Sequence, residues 1–432
     1  MLTIILSIEE ESMRIKTFTL LLCIFFVVSF GLFSNGSQEQ QTDSESSELV
    51  INCNLSDPVP REAFAKMVEG FEELHPNINV TVNTFDHESY KTAIRNFLTS
   101  DAPDVATWFG GNRMNFFASK GLLLDISDLW EEAGLNESMS SSKATLSYKG
   151  VPYGVAHSYY QWGVFYRKDL LEKFDLSVPK DWNEFLNVCA VLKQNDITPI
   201  TIGTKYLWTA AGWFDYLNLR INGYKFHMDL MNGDISYTDP QLDKVFDVWA
   251  NLIEKGYFLE NHATYSWQEA QAPFINGEAA MYLIGNFMVP DMINAGIGDK
   301  LGFMRFPTIN KSQGNFEDAP MDCYIIPAKA KNIKNAKLFL EYASSPEVSA
   351  DFAYATGTIP PNKNCREPEE KFAKLGFELL NNADALSQFY DRDTNPELAS
   401  TGMAGFQEFM VKPEREAEIR ERIEADRLKV FK

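Results

Sequence analysis

The most constraining feature of this sequence is an alternation of strand and helix patterns in its N-terminal part. "LVINCNL" (49–55), "INVTVNTF" (78–85) and "PDVATWF" (103–109) are rich in β-branched and aromatic residues, as strands are. Between them, "REAFAKMVEGFEEL" (61–74) and "ESYKTAIRNFL" (88–98) carry apolar residues at helical spacing. The order strand, helix, strand, helix, strand predicts a doubly wound α/β sheet.

The loops that follow the strands of such a sheet form its ligand-binding edge. These loops hold Asp57 after the first strand, Asp86 after the second, and Trp108 through Arg113 at the end of the third. We therefore expect these side chains to lie close together at one edge of the sheet.

A second α/β unit is predicted in the middle of the chain. There, "AAMYLI" (279–284) is short, apolar and bounded by glycines, which suits a strand buried on both faces. Gly285, Asn286 and Phe287 follow it directly. Either Asn286 and Phe287 face a ligand beyond the strand end, or this is an ordinary joint with a core phenylalanine.

Length and charge narrow the class of protein. A chain of 432 residues predicts two or more domains. The net charge of −21 argues against binding to nucleic acid or to an anionic membrane surface, since both need a basic face. The eight tryptophans and 17 tyrosines supply many flat, amphipathic side chains.

The N-terminal segment has the order of a secretory signal. Arg14 and Lys16 precede an apolar run, 18–33, and small or polar residues follow it. We predict a signal peptide at 1–36, with Met13 as the true start, and a flexible leader at 37–47. A lipid anchor would need a cysteine just after the cleavage site, and Cys53 lies too far downstream, so we expect export without a lipid anchor.

Four cysteines remain beyond the signal: Cys53, Cys189, Cys323 and Cys365. Export would permit disulfides, yet these residues are widely spaced, and we expect free thiols or at most one bridge. No close pair of cysteines or histidines exists, so we expect no metal site. Nothing in the sequence points to a cofactor.

Several blocks then resemble one family. "PDVATWFGGNRMNFFASKGLLLDISDLW", "YKGVPYGVAHSYYQWGVFYRKDLLEKFDLSVPKDWNEF", "FINGEAAMYLIGNF" and "GTIPPNKN" are similar, in the same order, to motifs of extracellular solute-binding proteins. These proteins serve ABC importers of carbohydrates, of the maltodextrin or multiple-sugar-binding type. The resemblance spans nearly all of residues 49–432.

The resemblance implies a two-lobe periplasmic-binding-protein fold of type II-like form, in which each lobe is a doubly wound sheet flanked by helices. Three chain crossings would form the hinge, near Val155–Tyr160, Ala319–Asp322 and Ile359–Asn364. The expected domains are 48–156 plus 321–362 for lobe 1, and 157–320 plus 363–432 for lobe 2.

The resemblance also implies a ligand site between the lobes. The loop after the third strand, the hinge, the motif after "AAMYLI" and the C-terminal part would contribute aromatic and polar side chains. The expected ligand-binding residues are Asp57, Trp108, Phe109, Asn112, Arg113, Ser158, Tyr206, Trp208, Trp213, Asn286, Phe287, Asp322, Arg392 and Asp393.

The implied function is capture of a sugar or oligosaccharide by a monomeric periplasmic or extracellular protein, which delivers it to a membrane permease and catalyses no reaction. A binder of another solute, such as a polyamine or a peptide, is the alternative. Asp57, Asp86, Asp322 and Asp393 could supply the acids of a polyamine site, although Arg113 argues against a cation. A secreted glycosidase is a further alternative, because it also combines aromatics with carboxylates.

Overall fold

The computed structural model describes residues 47–432. The signal peptide predicted at 1–36 and the leader predicted at 37–47, apart from Ser47, lie outside the described residues. Within 47–432, no helix combines the length and the apolar character needed to cross a membrane.

Five strands form the first sheet. In spatial order they are Ile78–Thr84, Ser47–Cys53, Val105–Phe109, Met321–Ile325 and Gly154–Tyr159. The first three are parallel, and the helices that connect them lie where the sequence predicts helices. Met321–Ile325 runs antiparallel to both of its neighbours, so a strand from late in the chain completes the interior of this sheet.

The Pro58–Leu74 helix packs its predicted apolar face on this sheet. Phe64 and Phe71 are 2% and 0% exposed. The ring of Phe64 lies 6.3 Å from the ring of Tyr324, which belongs to the inserted strand. Large apolar side chains of this kind contribute about 1.5–3 kcal/mol each when they are fully buried, so this contact fixes the helix on the late strand.

Four strands form the second sheet. In spatial order they are Leu301–Met304, Trp162–Arg167, Ala279–Gly285 and Thr198–Thr201. Every residue of Ala279–Gly285 is buried, in keeping with the strand predicted at 279–284. This strand runs antiparallel to Trp162–Arg167 and parallel to Thr198–Thr201.

Each sheet has its own large cluster of buried apolar side chains. We call the first sheet with its cluster lobe 1 and the second sheet with its cluster lobe 2. The domain boundaries given above stay a prediction. A third, small cluster joins Ala319, Ile359 and Leu380 beside Tyr159.

The chain passes between the two sheets over very short stretches. It leaves Gly154–Tyr159 and enters Trp162–Arg167 after only residues 160 and 161, and it returns through 319 and 320. At a third point the backbones of Tyr159 and Ile359 exchange two hydrogen bonds, of 3.1 and 2.8 Å. These positions match the three crossings expected from the sequence.

Helices cover the sheets and form most of the C-terminal part. The remaining short strands pair as Ser147–Tyr148 with Val151–Pro152 and as Phe316–Asp318 with Ala385–Ser387. The α-helices are Pro58–Leu74, His87–Thr99, Asn112–Ala118, Ser127–Glu132, Leu135–Ser138, Lys168–Lys173, Trp182–Gln194, Trp208–Ile221, Tyr224–Met231, Asp243–Glu254, Gln271–Asn276, Val289–Asn294, Ile333–Ser344, Pro346–Ala355, Lys371–Asn381, Tyr390–Asp393, Pro396–Val411 and Glu416–Val430.

The four described cysteines are free thiols. Cys53, Cys189 and Cys323 are buried in the two cores, and Cys365 is partly exposed. Burial raises the pKa of the Cys53 thiol to about 12, so this thiol stays protonated and unreactive at neutral pH.

Candidate ligand-binding cleft

A cleft opens between the lobes, with about 1100 Å³ of empty space when its mouth is included. Side chains from both lobes and from the crossings line it. Eight of the fourteen residues expected from the sequence are among them: Asp57, Phe109, Arg113, Ser158, Trp208, Phe287, Asp322 and Arg392.

One side of the cleft is an aromatic wall, which we define as Tyr160, Trp162, Trp208, Trp267 and Phe287. The ring of Phe287 lies in its middle, 5.2 Å from Tyr160, 5.1 Å from Trp267 and 6.4 Å from Trp208. Trp208, Trp267 and Phe287 remain partly exposed, whereas Trp162 is only 2% exposed. The wall therefore presents three ring surfaces to the cleft.

Gly285 makes room for this wall. A Cβ atom at this position would lie 2.3 Å from the ring of Phe287 and 3.1 Å from the ring of Tyr160. The next residue is anchored, because the backbone N–H of Asn286 donates to the carbonyl of Gln161. The chain therefore turns back at the end of a buried strand and lays Phe287 over Gly285, and any larger residue at this position would push the Phe287 ring out of its place.

The opposite side is a polar wall, formed mainly by lobe 1 at the carboxyl ends of its parallel strands. This is the edge at which open α/β sheets bind ligands. The polar wall consists of Ser56, Asp57, His87, Lys91, Arg113, Ser158 and Asp322.

Arg392 ties the C-terminal part to the crossings. Its guanidinium donates to the carbonyl of Met321 at 2.9 Å and to the hydroxyl of Tyr160 at 2.8 Å. It also forms an ion pair with Asp322 at 2.9 Å, and its side chain is 7% exposed. Its guanidinium lies 4.8 Å from the centre of the Phe109 ring. One planar group thus connects two crossings with the third strand of lobe 1.

The backbone around Arg392 packs closely against the backbone of lobe 1 at Gly111. Gly111 has a φ of 68°, and a Cβ atom there would lie 2.6 Å from the carbonyl oxygen of Arg392. Beside it, the side chain of Asn112 donates to the carbonyl of Asp393 at 2.8 Å. A substitution at Gly111 would therefore displace the segment that carries Arg392.

The remaining cations of the cleft are also paired. Arg113 forms an ion pair with Asp391 and lies 4.7 Å from the centre of the Phe109 ring. Lys91 forms an ion pair with Glu88 at 2.9 Å. Burial lowers the pKa of Lys91, and the charge of Glu88 opposes this. Each cation that lines the cleft therefore has its own carboxylate.

The histidines that line the cleft add no positive charge at neutral pH. Burial lowers the pKa of His157 to about 3, and the charge of Arg392 acts in the same direction. Burial holds the pKa of His87 well below its usual value, and the positive charge of Lys91 lowers it further. Both rings are neutral and can donate or accept one hydrogen bond at each nitrogen.

Two side-chain contacts bridge the lobes across the cleft. The indole N–H of Trp208 donates to Glu88 at 3.3 Å, and the amide of Gln268 donates to Asp57 at 3.2 Å. The second contact exists because Asp57, at the N-cap of the Pro58–Leu74 helix, does not cap it with its side chain. The structure therefore has the lobes in contact at two points, and the carboxylates of both contacts line the same pocket at the mouth of the cleft.

Replacing Gln268 by alanine is expected to loosen this contact. Loss of one hydrogen bond costs about 1 kcal/mol, which would shift the ratio of open to closed molecules about fivefold. Small-angle scattering of the unliganded variant should give a larger radius of gyration than that of the wild type. Gln241→Ala, at an exposed position, is the control, and identical profiles for Gln268→Ala and wild type would refute the role of this contact.

Two tryptophans expected at the site lie in the cores instead. Trp213 is 1% exposed and packs edge-on against Phe258 and Phe306 in lobe 2. Trp108 is 3% exposed and packs on Phe117 in lobe 1. We correct both assignments, because neither ring reaches the cleft.

Four other expected residues also fail to line the cleft. Asn286 is fully buried, Asn112 holds the backbone of the neighbouring segment, and Tyr206 lines a separate pocket at the mouth. The carboxylate of Asp393 accepts from the backbone N–H groups of Gln388 and Phe389 and so shapes its own turn. Asn112, Asn286 and Asp393 therefore support the site without forming its surface, whereas Tyr206 is exposed outside the cleft.

The structure adds cleft residues that the sequence analysis missed. Trp162 and Tyr160 follow the first crossing, Trp267 precedes the helix that leads into "AAMYLI", and Asp291 and Asp391 are acids among many. The crossing itself could have pointed to Tyr160 and Trp162. A single tryptophan or aspartate in a loop carries no comparable signal.

Two α/β lobes, short crossings and a lined cleft define a two-lobe solute-binding fold, the class predicted from the sequence. Residues 57–350 match the model of the family described as bacterial extracellular solute-binding protein. The chain therefore belongs to this family, as the sequence resemblance predicts, and its members are binding proteins.

Three relatives illustrate the similarity. An uncharacterized ABC transporter extracellular-binding protein of Pyrococcus horikoshii is 26% identical over 75% of this chain and 74% of its own. A multiple sugar-binding protein of Streptococcus mutans is 23% identical over 72% of this chain and 76% of its own. The solved structure of the bacterial solute receptor AcbH is 32% identical, covers 90% of this chain and 100% of its own, and has a TM-score of 0.85.

Proposed function

We propose that this protein is the substrate-binding subunit of an ABC importer that captures a sugar between its lobes and delivers it to a membrane permease. The observation that carries the proposal is that the aromatic wall and the polar wall line one and the same cleft between the lobes. The protein acts as an exported monomer without a lipid anchor and without chemistry of its own.

This pair of walls suits the two sides of a sugar ring. A pyranose presents a flat C–H face, which packs on an aromatic ring, and a rim of hydroxyl groups. The partly exposed rings of Trp208, Trp267 and Phe287 provide the first surface. The carboxylates, guanidinium groups and hydroxyls of the polar wall can each donate to or accept from several hydroxyl groups.

The relatives point in the same direction. The Streptococcus mutans relative is named a multiple sugar-binding protein, and AcbH is described as having an exclusive preference for β-D-galactopyranose. The fold of AcbH matches over all of its own length. These likenesses favour a carbohydrate over the peptide and glycosidase alternatives.

A panel of mono- and oligosaccharides in a thermal-shift assay tests the function. A ligand that binds only the native state adds about 2.7 kcal/mol of stability at a hundredfold excess over Kd. At least one sugar is therefore expected to raise the melting temperature by several degrees. A panel in which spermidine or a peptide shifts the melting temperature and no sugar does would overturn the carbohydrate assignment.

Trp267→Ala is expected to weaken binding of that sugar about thirtyfold, or about 2 kcal/mol, because it removes one of the three exposed ring surfaces. Isothermal titration calorimetry measures the effect. Phe377→Ala, which removes an exposed ring elsewhere on the surface, is the matched control. Equal affinities for the Trp267→Ala variant and the control would mean that the aromatic wall does not contact the ligand.

A further inference from the structure

The cleft is lined by more carboxylates than its cations neutralise. Lys91, Arg113 and Arg392 are each neutralised by an ion pair with a carboxylate. Among residues 47–432, no ion pair reaches the two remaining carboxylates of the lining, Asp57 and Asp291. Because Asp391 already compensates Arg113, this arginine no longer argues against a cationic ligand.

Asp57 and Asp291 have similar surroundings on opposite lobes. Each accepts a hydrogen bond from a neutral amide: Gln268 donates to Asp57 at 3.2 Å, and Gln271 donates to Asp291 at 3.1 Å. Burial raises the pKa of both carboxyls, and the charge of Asp291 adds to the rise at Asp57. The two negative charges therefore lie in each other's field without a cation between them.

The two carboxylates share the cleft with the aromatic wall. Trp267 directly precedes Gln268, which donates to Asp57, and Phe287 lies four residues before Asp291. A ligand ring packed on Trp267 or Phe287 would thus lie in the same cleft as this pair of carboxylates. Beyond Asp57, the mouth pocket is lined by the carboxylates of Asp86 and Glu269, and by Glu88, which Lys91 neutralises. Among residues 47–432, Lys205 is the one Lys or Arg of this lining, so the pocket keeps an excess of negative charge, which attracts cations.

We propose that the preferred ligand is a sugar with a free, protonated amino group, which binds between Asp57 and Asp291. The proposal rests on the function proposed above and specifies its substrate class. An ammonium group has three N–H donors and can donate to two carboxylates at once, in charge-assisted hydrogen bonds that a neutral hydroxyl cannot match. The pyranose ring then packs on the aromatic wall.

Matched sets of sugars test the proposal by calorimetry on the exported chain. Each set contains an amino sugar, its N-acetyl form and its neutral parent: glucosamine, galactosamine and the β-1,4-linked glucosamine disaccharide supply three sets. In at least one set, the free amino sugar is expected to bind tenfold or more tightly than both counterparts. The N-acetyl form keeps an N–H donor and lacks the charge, so it separates charge from hydrogen bonding.

Substitutions of the two carboxylates test where the amino group of the ligand binds. Asp57→Asn and Asp291→Asn keep the shape and an amide partner for the neighbouring glutamine, and each is expected to reduce the preference for the amino sugar at least fivefold. Glu62→Gln removes an exposed carboxylate from the helix that follows Asp57 and is expected to keep the preference.

Three results would overturn the proposal, and they have different meanings. If neutral or N-acetylated sugars bind as tightly as the amino sugars, or if the preference survives in both asparagine variants, the amino-sugar inference fails and the carbohydrate function stands. If no sugar of any set binds while spermidine does, the carbohydrate function fails together with it.

Discussion

Replacing Arg392 by alanine is expected to destabilise the unliganded protein by about 3 kcal/mol and to abolish ligand binding. The guanidinium is nearly buried and holds Met321, Tyr160 and Asp322 at once. Its removal leaves the Asp322 carboxylate in a cleft without its cation, and loss of one partner of a buried ion pair costs several kcal/mol. The melting temperature should fall by about 3–4 °C, because at about 2.1 cal/mol/K per residue the unfolding entropy of a chain this long is roughly 0.8 kcal/mol/K.

Arg392→Lys separates charge from geometry. Lysine keeps the positive charge beside Asp322 but cannot reach two acceptors with a planar fork. It is expected to recover part of the stability and little of the binding. A melting temperature for Arg392→Ala within a degree of the wild-type value would show that the crossings hold together without this residue.

Stability is also expected to fall as the pH rises from about 4 to about 7, through buried carboxyls of lobe 2. Burial raises the pKa of Asp318 to about 7, with further contributions from the charges of Asp393 and Glu317. Burial also raises the pKa of Asp393 to about 7 and holds the pKa of Asp215 well above its usual value. In this pH window the folded protein binds protons that the unfolded chain has released.

The direction of this change in stability follows from the linkage between folding and proton binding. Since the folded state holds more protons than the unfolded state, unfolding becomes easier as the pH rises through the window. The effect is complete once the pH exceeds the folded pKa of about 7. Its size for Asp318 is on the order of 4 kcal/mol, because one pKa unit corresponds to about 1.4 kcal/mol.

Urea unfolding at several pH values between 4.5 and 8 measures this dependence. In the Asp318→Asn variant the carboxyl is replaced by a group that stays neutral, and stability should decline less steeply with pH. Asp299→Asn, at an exposed position, should keep the wild-type slope. Parallel curves for Asp318→Asn and wild type would mean that Asp318 is already ionised at low pH in the folded protein.

The sequence predicts the strand and helix elements well because their signals are local. Alternating strand and helix patterns place the first three strands of lobe 1, and the glycines around "AAMYLI" mark the strand that carries Phe287. Loops after parallel strands meet at one edge of the sheet, so Asp57, Phe109 and Arg113 could be expected to share a site.

When a helix or strand is buried on all sides, the sequence does not show which of its side chains point to the cleft and which point to the core. In the Trp208–Ile221 helix, every residue after Trp208 is buried. Its sequence therefore shows no polar face, and nothing local distinguishes Trp213 in the core from Trp208 at the cleft. The same holds for Trp108 and Phe109, which are neighbours on a fully buried strand whose side chains alternate between its two faces.

The charge balance of the site is a property of the fold alone. Arg113 pairs with Asp391 and Arg392 with Asp322, over sequence separations that no local pattern encodes. With 60 acidic residues in the chain, the sequence cannot show which carboxylates keep a partner. Only the assembled lobes reveal that, within residues 47–432, Asp57 and Asp291 form no ion pair with a cation.

The strand Met321–Ile325 has a consequence for how the molecule is made. It lies inside the first sheet, between Val105–Phe109 and Gly154–Tyr159, so the lobe that begins first along the chain is completed only after all four strands of the second sheet have been made. Its pairing must wait until all of the intervening lobe 2 segment has been synthesised, and contacts this distant in sequence form slowly. No single cut of the chain can therefore separate the first sheet from the second, because strands of the first sheet both precede and follow those of the second.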